Sequence, residues 1–265
     1  MLSRIDVTVA TKNNEATLAR CLSAIRENIP VNHLVVVDGG STDRTLDIAR
    51  KFDARIVTEK GLLGRVRHKQ GEECCTEWIA LVDSDVYVYP TWWIAMSRHI
   101  ADENGMVVGI GESSYPSRTY FYERYFNYNA KRYGLEAFSN TLVKRALLLS
   151  CKALLDGVHA GEDTLFAKYA KAQGKHVVTA DERGPICYHD KHADMAYAFF
   201  RSGQSLGMTG EFMRAFRILP NNLRNWFAYS KSVSEFDPRL LAYIIYLWLT
   251  LIRGFFTSWI STVIR

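Results

Sequence analysis

The chain has 265 residues, of which 48% are hydrophobic and 23% charged. That balance allows a sizeable globular core and excludes wholesale disorder, collagen-like chains and coiled-coil fibres. Its 33 basic and 28 acidic residues leave a net charge of +5, a surplus too small to indicate a nucleic-acid partner by itself. The five cysteines are odd in number, Cys74 and Cys75 are adjacent, and no C-x-x-C spacing occurs. This argues against a disulfide scaffold or zinc ribbon and for a reducing compartment.

Arg4 and Asp6 interrupt any apolar run at the start, so no signal peptide is expected and the chain is expected to begin in the cytoplasm. Val7–Ala10 predicts a first strand, and Leu18, Cys21, Leu22 and Ile25 recur at helical spacing up to Pro30. His33–Val37 is a short apolar run of the kind buried on both faces of a parallel sheet. The turn from Asp38 to Asp43 then leads into a helix over Thr45–Lys51. A strand at Ala54–Thr58, a helix at Arg65–Cys75 and a second buried run at Trp78–Val82 follow. Strand and helix thus alternate over the first ninety or so residues, as in a parallel sheet covered on both faces. Beyond them, Met106–Ile110 and His176–Thr179 read as strands and Thr164–Gln173 as a helix. Tyr115–Tyr133 is dense in aromatics, and Cys187–Asp190 closes the α/β part. The expected division is 1–190 for an α/β domain and 191–265 for a helical region.

Ligands of open parallel sheets bind beyond the carboxyl ends of the strands. Three polar strand ends therefore stand out: Thr11–Asn14, Asp38–Asp43 and Asp83–Asp85. The two carboxylates of Asp83-Ser84-Asp85 are hard oxygen ligands suited to Mg²⁺ or Mn²⁺ beside phosphate oxygens, although acids and serines are also favoured in any strand-end turn. Neither G-x-G-x-x-G after the first strand nor G-x-x-x-x-G-K-[ST] is present, which argues against a dinucleotide-binding dehydrogenase and a P-loop nucleotidase. Phosphate binding then falls to a metal and to the basic stretch Arg65, Arg67, His68 and Lys69, which reads equally well as a solvated helix start.

Thr11-Lys-Asn13, Val35–Thr45, the basic stretch around Arg67 and Glu77–Asp85, followed by Asn140–Arg145 and Gly161–Phe166, resemble in that order the inverting family 2 glycosyltransferases. The likeness runs over roughly residues 5–190. It implies a GT-A fold and a nucleotide-sugar donor held through a divalent metal, Mn²⁺ or Mg²⁺. By this resemblance Thr11 and Asn13 lie beside the nucleoside and Asp38 binds the base or ribose. Asp83, with Ser84 and Arg67, serves the donor, and Asp85 binds the metal. Asp163 is the catalytic base with Glu162 beside it, and His189 is an added metal ligand, against the plainer reading of a structural strand-end histidine. The second acid common after the first aspartate of this turn is here Gly39, and His68 stands where the family often has asparagine. Polyprenyl-linked mannosyltransferases of this family look similar at the strand ends, so GDP-mannose is the expected donor, with UDP-sugars the alternative. A sugar nucleotidyltransferase lacks support, because Thr11–Asn14 is not the Gly-rich, Arg-containing loop it needs. A non-catalytic binding protein of this type is expected to have lost Asp85 or Asp163, and both are present.

From Met195 to Ser234 the bases Arg201, Arg214, Arg217, Arg224 and Lys231 face one acid, Glu211, with aromatics interspersed. Leu240–Ile264 carries a single charge, Arg253. Its uncharged part to Ile252 reaches about 20 Å as a helix, short of a ~30 Å hydrocarbon core. Tyr243, Tyr246, Thr250, Arg253, Thr257 and Ser261 form one polar stripe. The expectation is a helix lying in the plane of a membrane at its cytoplasmic face, with Trp248, Phe255 and Ile260 in lipid and a membrane-associated, lipid-linked acceptor. Packing against protein and a tilted spanning helix are the alternatives, and no nucleic acid is expected to bind.

Overall fold

A computed structural model describes residues 4–114, 125, 138–158, 160–180, 184–190, 199–200, 202–204, 206, 212–233 and 238–263. The expected aromatic segment around Tyr115–Tyr133 lies outside them apart from Tyr125, as do the side chains of Arg201, Glu211, Arg214 and Ser261.

The strands β1 (Ile5–Thr11), β2 (Val31–Asp38), β3 (Arg55–Thr58) and β4 (Trp78–Asp83) alternate with helices α1 (Leu18–Asn28), α2 (Thr45–Lys51) and α3 (Leu63–Glu72). After β4 come β5 (Val86–Val88), α4 (Trp92–Ser97), β6 (Asn104–Gly109), β7 (Gly111–Ser114) and β8 (Asn140–Lys144). Next are α5 (Arg145–Ser150), α6 (Lys152–Leu155), α7 (Glu162–Ala172), β9 (His176–Ala180) and β10 (Cys187–Asp190). The last are α8 (Phe212–Val233) and α9 (Pro238–Val263).

Seven strands form one sheet in the order β3-β2-β1-β4-β8-β6-β9. Only β8 runs against its neighbours; β3, β2, β1 and β4 pair in parallel, as do β6 and β9. Side chains alternate between two cores, as the two-residue period of a strand requires. In β4, Trp78, Ala80 and Val82 face Leu18, Leu22 and Trp92, whereas Ile79 and Leu81 face Leu148, Leu155 and Phe166. That two-sided burial is why these strands read as continuous apolar runs. Gly64 permits a close approach of α3 to α6: a Cβ there would stand 2.0 Å from the carbonyl oxygen of Leu155.

The chain groups into two compact units, and the second takes in Tyr115–Gly134 and Gly157–Gly161 together with Lys191–Arg265. Within that second unit α8 and α9 pack as an antiparallel hairpin. Trp226 and Tyr229 near the end of α8 meet Leu240, Ile244 and Leu247, while Ala215 near its start meets Leu251 and Phe255. Tyr125 is buried in the same cluster and donates its hydroxyl to the Asn222 carbonyl at 3.0 Å. The lipid-facing assignment of Trp248 and Phe255 is thereby corrected. Phe255 is fully buried against protein, and the Trp248 indole donates to the Ala215 carbonyl at 3.2 Å while its ring meets Phe216 edge-on. These two lie on the side of α9 that carries Leu247 and Leu251, so the helix closes its own apolar core with them. Ile260 is 48% exposed.

Candidate active site

The parallel register places the three polar strand ends side by side. Thr11 pairs with Asp38 across β1 and β2, and Ala10 pairs with Asp83 across β1 and β4. The Asp38 carboxylate is buried and organises its own turn, accepting the Gly40 and Ser41 amides and the Ser41 hydroxyl. Asn13 adopts a left-handed φ of 50°, and its side-chain oxygen accepts the Thr42 amide at 2.8 Å, locking the first polar loop to the second. Thr11 is 6% exposed and its hydroxyl has no hydrogen-bond partner among the described residues. A buried orphan donor at a strand end is a group that a ligand would satisfy.

After β4 the chain turns through Asp83, Ser84 and Asp85. Ser84 is buried: the Asn14 amide donates to its hydroxyl, and its carbonyl accepts the Thr17 hydroxyl at 2.9 Å. These bonds fix the turn to the start of α1, so Ser84 holds its neighbours in place. β10 pairs antiparallel with β5, setting His189 opposite Val86. The His189 Nε2 thus lies 3.1 Å from Asp85 Oδ1, and one ligand atom each from Asp83, Asp85 and His189 fall within 4.8 Å of one another. Two carboxylates and an imidazole are a hard, mixed oxygen–nitrogen set that fits Mn²⁺ or Mg²⁺.

Arg67 is the centre of the charge network. It is 4% exposed; its Nη2 donates to Asp83 Oδ1 at 2.8 Å and its Nε to Glu162 Oε1 at 3.4 Å. Burial opposes its charge, but Asp83 and Glu162 outweigh that and raise its pKa. Its guanidinium also lies 5.5 Å from the centre of the Phe138 ring. The sequence assigned Arg67 to the donor; in the structure it donates to Asp83, Glu162 and Gln70. Glu162 is buried, and desolvation raises its pKa against the pull of Arg67. Asp163 sits beside it at the start of α7 and accepts the Thr164 amide at 2.7 Å. Burial first, and the Glu162 charge second, push the Asp163 carboxyl up to about 7. A carboxyl poised near neutrality is suited to general base work.

A second group, Asp6, His33 and Cys75, also has three potential ligands close together. There the Asn32 amide nitrogen already stands among them, 2.9 Å from Asp6 Oδ1 and 3.0 Å from the His33 Nδ1. Asp6 also accepts the Cys75 and Thr76 amides, so this carboxylate ties β1 to the loop before β4. Asn14 and Gln70, a partner of Arg67 at 3.3 Å, are members of the active-site network that the motifs did not reveal. Their signal was only proximity in sequence to Asn13 and Arg67.

The sequence profile of glycosyl transferase family 2 matches residues 6–155, more than half of the chain. The chain belongs to glycosyl transferase family 2. The matched residues hold the three strand ends and Arg67, while Glu162, Asp163 and His189 lie beyond them. Among curated relatives of this family 2 domain, the glycosyltransferase EpsH of Bacillus subtilis is 34% identical over 111 residues, 39% of this chain and 32% of that protein. A Rickettsia typhi glycosyltransferase is 35% identical over 86 residues, 32% and 28% of the two chains. The chain therefore spans about a third of the length of these relatives. Among solved structures, glucosyl-3-phosphoglycerate synthase of Mycobacterium tuberculosis, with Mn²⁺, uridine diphosphate and glucosyl-3-phosphoglycerate, superposes with a TM-score of 0.54. The identity is 16%, over 78% of each chain. Staphylococcus aureus TarS gives 0.53 at 18% identity over 77% of this chain and 64% of that one. The family 2 domain thus has the GT-A fold expected from its motifs.

Proposed function

We propose that the protein transfers a sugar from a nucleoside diphosphate donor to an acceptor hydroxyl, with inversion and with a divalent cation. The observation that carries the reading is the convergence of Asp83, Asp85 and His189 at the carboxyl end of β4, joined through Arg67 to the acidic pair Glu162 and Asp163. Asp85 and His189 would hold the cation, which would offset charge growing on the departing diphosphate. Asp38 and Asn13 shape the loops on which the nucleoside rests, and the Thr11 hydroxyl is a free donor toward it. Asp163 accepts the acceptor's proton, and Glu162 together with Arg67 holds α7's first turn in position. The donor expected from the strand ends is GDP-mannose. The uridine nucleotide and Mn²⁺ bound by the mycobacterial synthase favour a UDP-sugar as the second reading. The acceptor proposed is a hydroxyl on a lipid-linked sugar at a membrane.

The test is a panel of GDP-, UDP- and dTDP-sugars with Mn²⁺ or Mg²⁺, scored by donor hydrolysis and transfer. The wild-type protein should turn over one donor class only with the cation. Asp85→Ala should abolish metal-dependent nucleotide binding in calorimetry while leaving the melting temperature near that of wild type. Metal-dependent binding of undiminished strength in that variant would refute the assignment.

A further inference from the structure

α8 exposes Met213, Arg217, Pro220, Arg224, Phe227 and Lys231. At ~100° per residue these six fall within about 80° of one another on the helical projection. Met213 is 60% and Phe227 66% exposed, so the stripe carries apolar groups left in water among its bases. The opposite side of α8, through Ala215, Trp226 and Tyr229, is sealed against α9. α9 likewise leaves Leu249, Phe256, Trp259 and Ile260 uncovered around the exposed Arg253. The two helices carry six bases and no acid: Arg214, Arg217, Arg224 and Lys231 on α8, Arg239 and Arg253 on α9. Glu235 and Asp237 fall between the helices in sequence.

From this we infer that the α8 stripe is a docking surface for an anionic lipid bilayer. α8 would lie along the headgroups, its bases on lipid phosphates and Phe227 and Met213 entering the acyl boundary. Interleaved bases and apolar groups on one narrow face match such a surface in both charge and hydrophobicity. The charge also selects among occupants. A second copy docking face to face would set one cationic stripe against another, with no acid on either helix to neutralise it. A bilayer rich in phosphatidylglycerol supplies the missing negative charge. The inference concerns attachment and does not depend on which sugar the protein transfers.

The experiment is sedimentation of the full chain with vesicles of phosphatidylcholine alone or of phosphatidylcholine with phosphatidylglycerol. Binding is expected to the anionic vesicles, weakly or not at all to the neutral ones, and to fall as salt is raised. A Lys or Arg at an anionic surface strengthens partition about fivefold. The triple variant Arg217→Gln, Arg224→Gln, Lys231→Gln is therefore expected to bind about a hundredfold more weakly. Phe227→Ser should weaken binding through the apolar term alone. All substituted positions are exposed, and an unchanged circular dichroism melt confirms that the variants are folded. Equal binding to neutral vesicles, or full binding by the triple variant, would overturn the inference. So would salt- and alkali-resistant membrane retention, which would mean that α9 spans. Concentration-dependent dimerisation abolished by Phe227→Ser would assign the face to a second copy instead.

Discussion

Replacing Arg67 by methionine removes one buried cation and leaves its hydrocarbon volume roughly filled. In the native structure Arg67 serves Asp83 and Glu162 together, and Glu162 is 4% exposed. Stripping one partner from a buried ion pair leaves an uncompensated charge and costs about 3–5 kcal/mol. The loss should depend on pH, because the orphaned acids have the alternative of taking up protons. Arg67 holds down the carboxyl pKa values of both Glu162 and Asp163 against burial. Without it both should rise further, Asp163 from a value already near 7. A carboxyl whose pKa is higher folded than unfolded contributes stability that is present below the unfolded value and lost as pH rises through the folded one. The deficit of Arg67→Met should therefore be smaller at pH 5.5 than at pH 8. Guanidinium unfolding at the two pH values, with the m-value checked for constancy, measures it. Adding Glu162→Gln should restore at least about 1 kcal/mol at pH 8, since it removes the buried charge left behind. A deficit that is equal at both pH values, or below about 1 kcal/mol at pH 8, would refute the reasoning.

Asp163→Asn should lower turnover by about 10²–10⁴ with little change in nucleotide affinity. The wild-type rate should climb with pH to a plateau above about 7 as this carboxyl ionises, and the pH–rate profile of the variant should lack that limb. If the variant keeps most of its rate, the acceptor is a phosphate, which needs no base. Gly64→Ala should destabilise the protein by about 1–3 kcal/mol, read from the shift in denaturation midpoint, because the new methyl would meet the Leu155 carbonyl and drive α3 and α6 apart.

The half of the sheet built around β2, β1 and β4 was legible because their apolar runs are buried on both faces and end in polar turns. Val35–Val37 and Ile79–Val82 leave no other economical fold. The ordered motifs likewise named the acids at the strand ends. What could not be read was the contact made across the sequence. His189 reaches Asp85 only because β10 pairs with β5, a strand of three residues, too short to leave a periodic signal. Arg67 read as a donor-binding base or as part of a solvated helix start, since nothing local tells that Asp83 and Glu162 enclose it. On α9 the polar stripe was visible, but the apolar remainder has two destinations. Leu240, Ile244, Leu247, Leu251 and Phe255 turn to protein, whereas Leu249, Phe256 and Ile260 turn to solvent. Periodicity gives the faces of a helix and not what lies opposite each.

The chain leaves the first compact unit at Tyr115, returns at Leu135, leaves at Gly157, returns at Glu162 and departs finally at Lys191. Neither unit is a continuous stretch of polypeptide. A gene fragment ending at residue 190 would encode every acid at the strand ends, yet strand Tyr125 without Asn222, Trp226 and Tyr229, against which it is buried. The helical hairpin is therefore no interchangeable tail. Swapping it between relatives would require exchanging Tyr115–Gly134 and Gly157–Gly161 along with it. A nick between Asn222 and Tyr229 would be felt by Tyr125, nearly a hundred residues upstream.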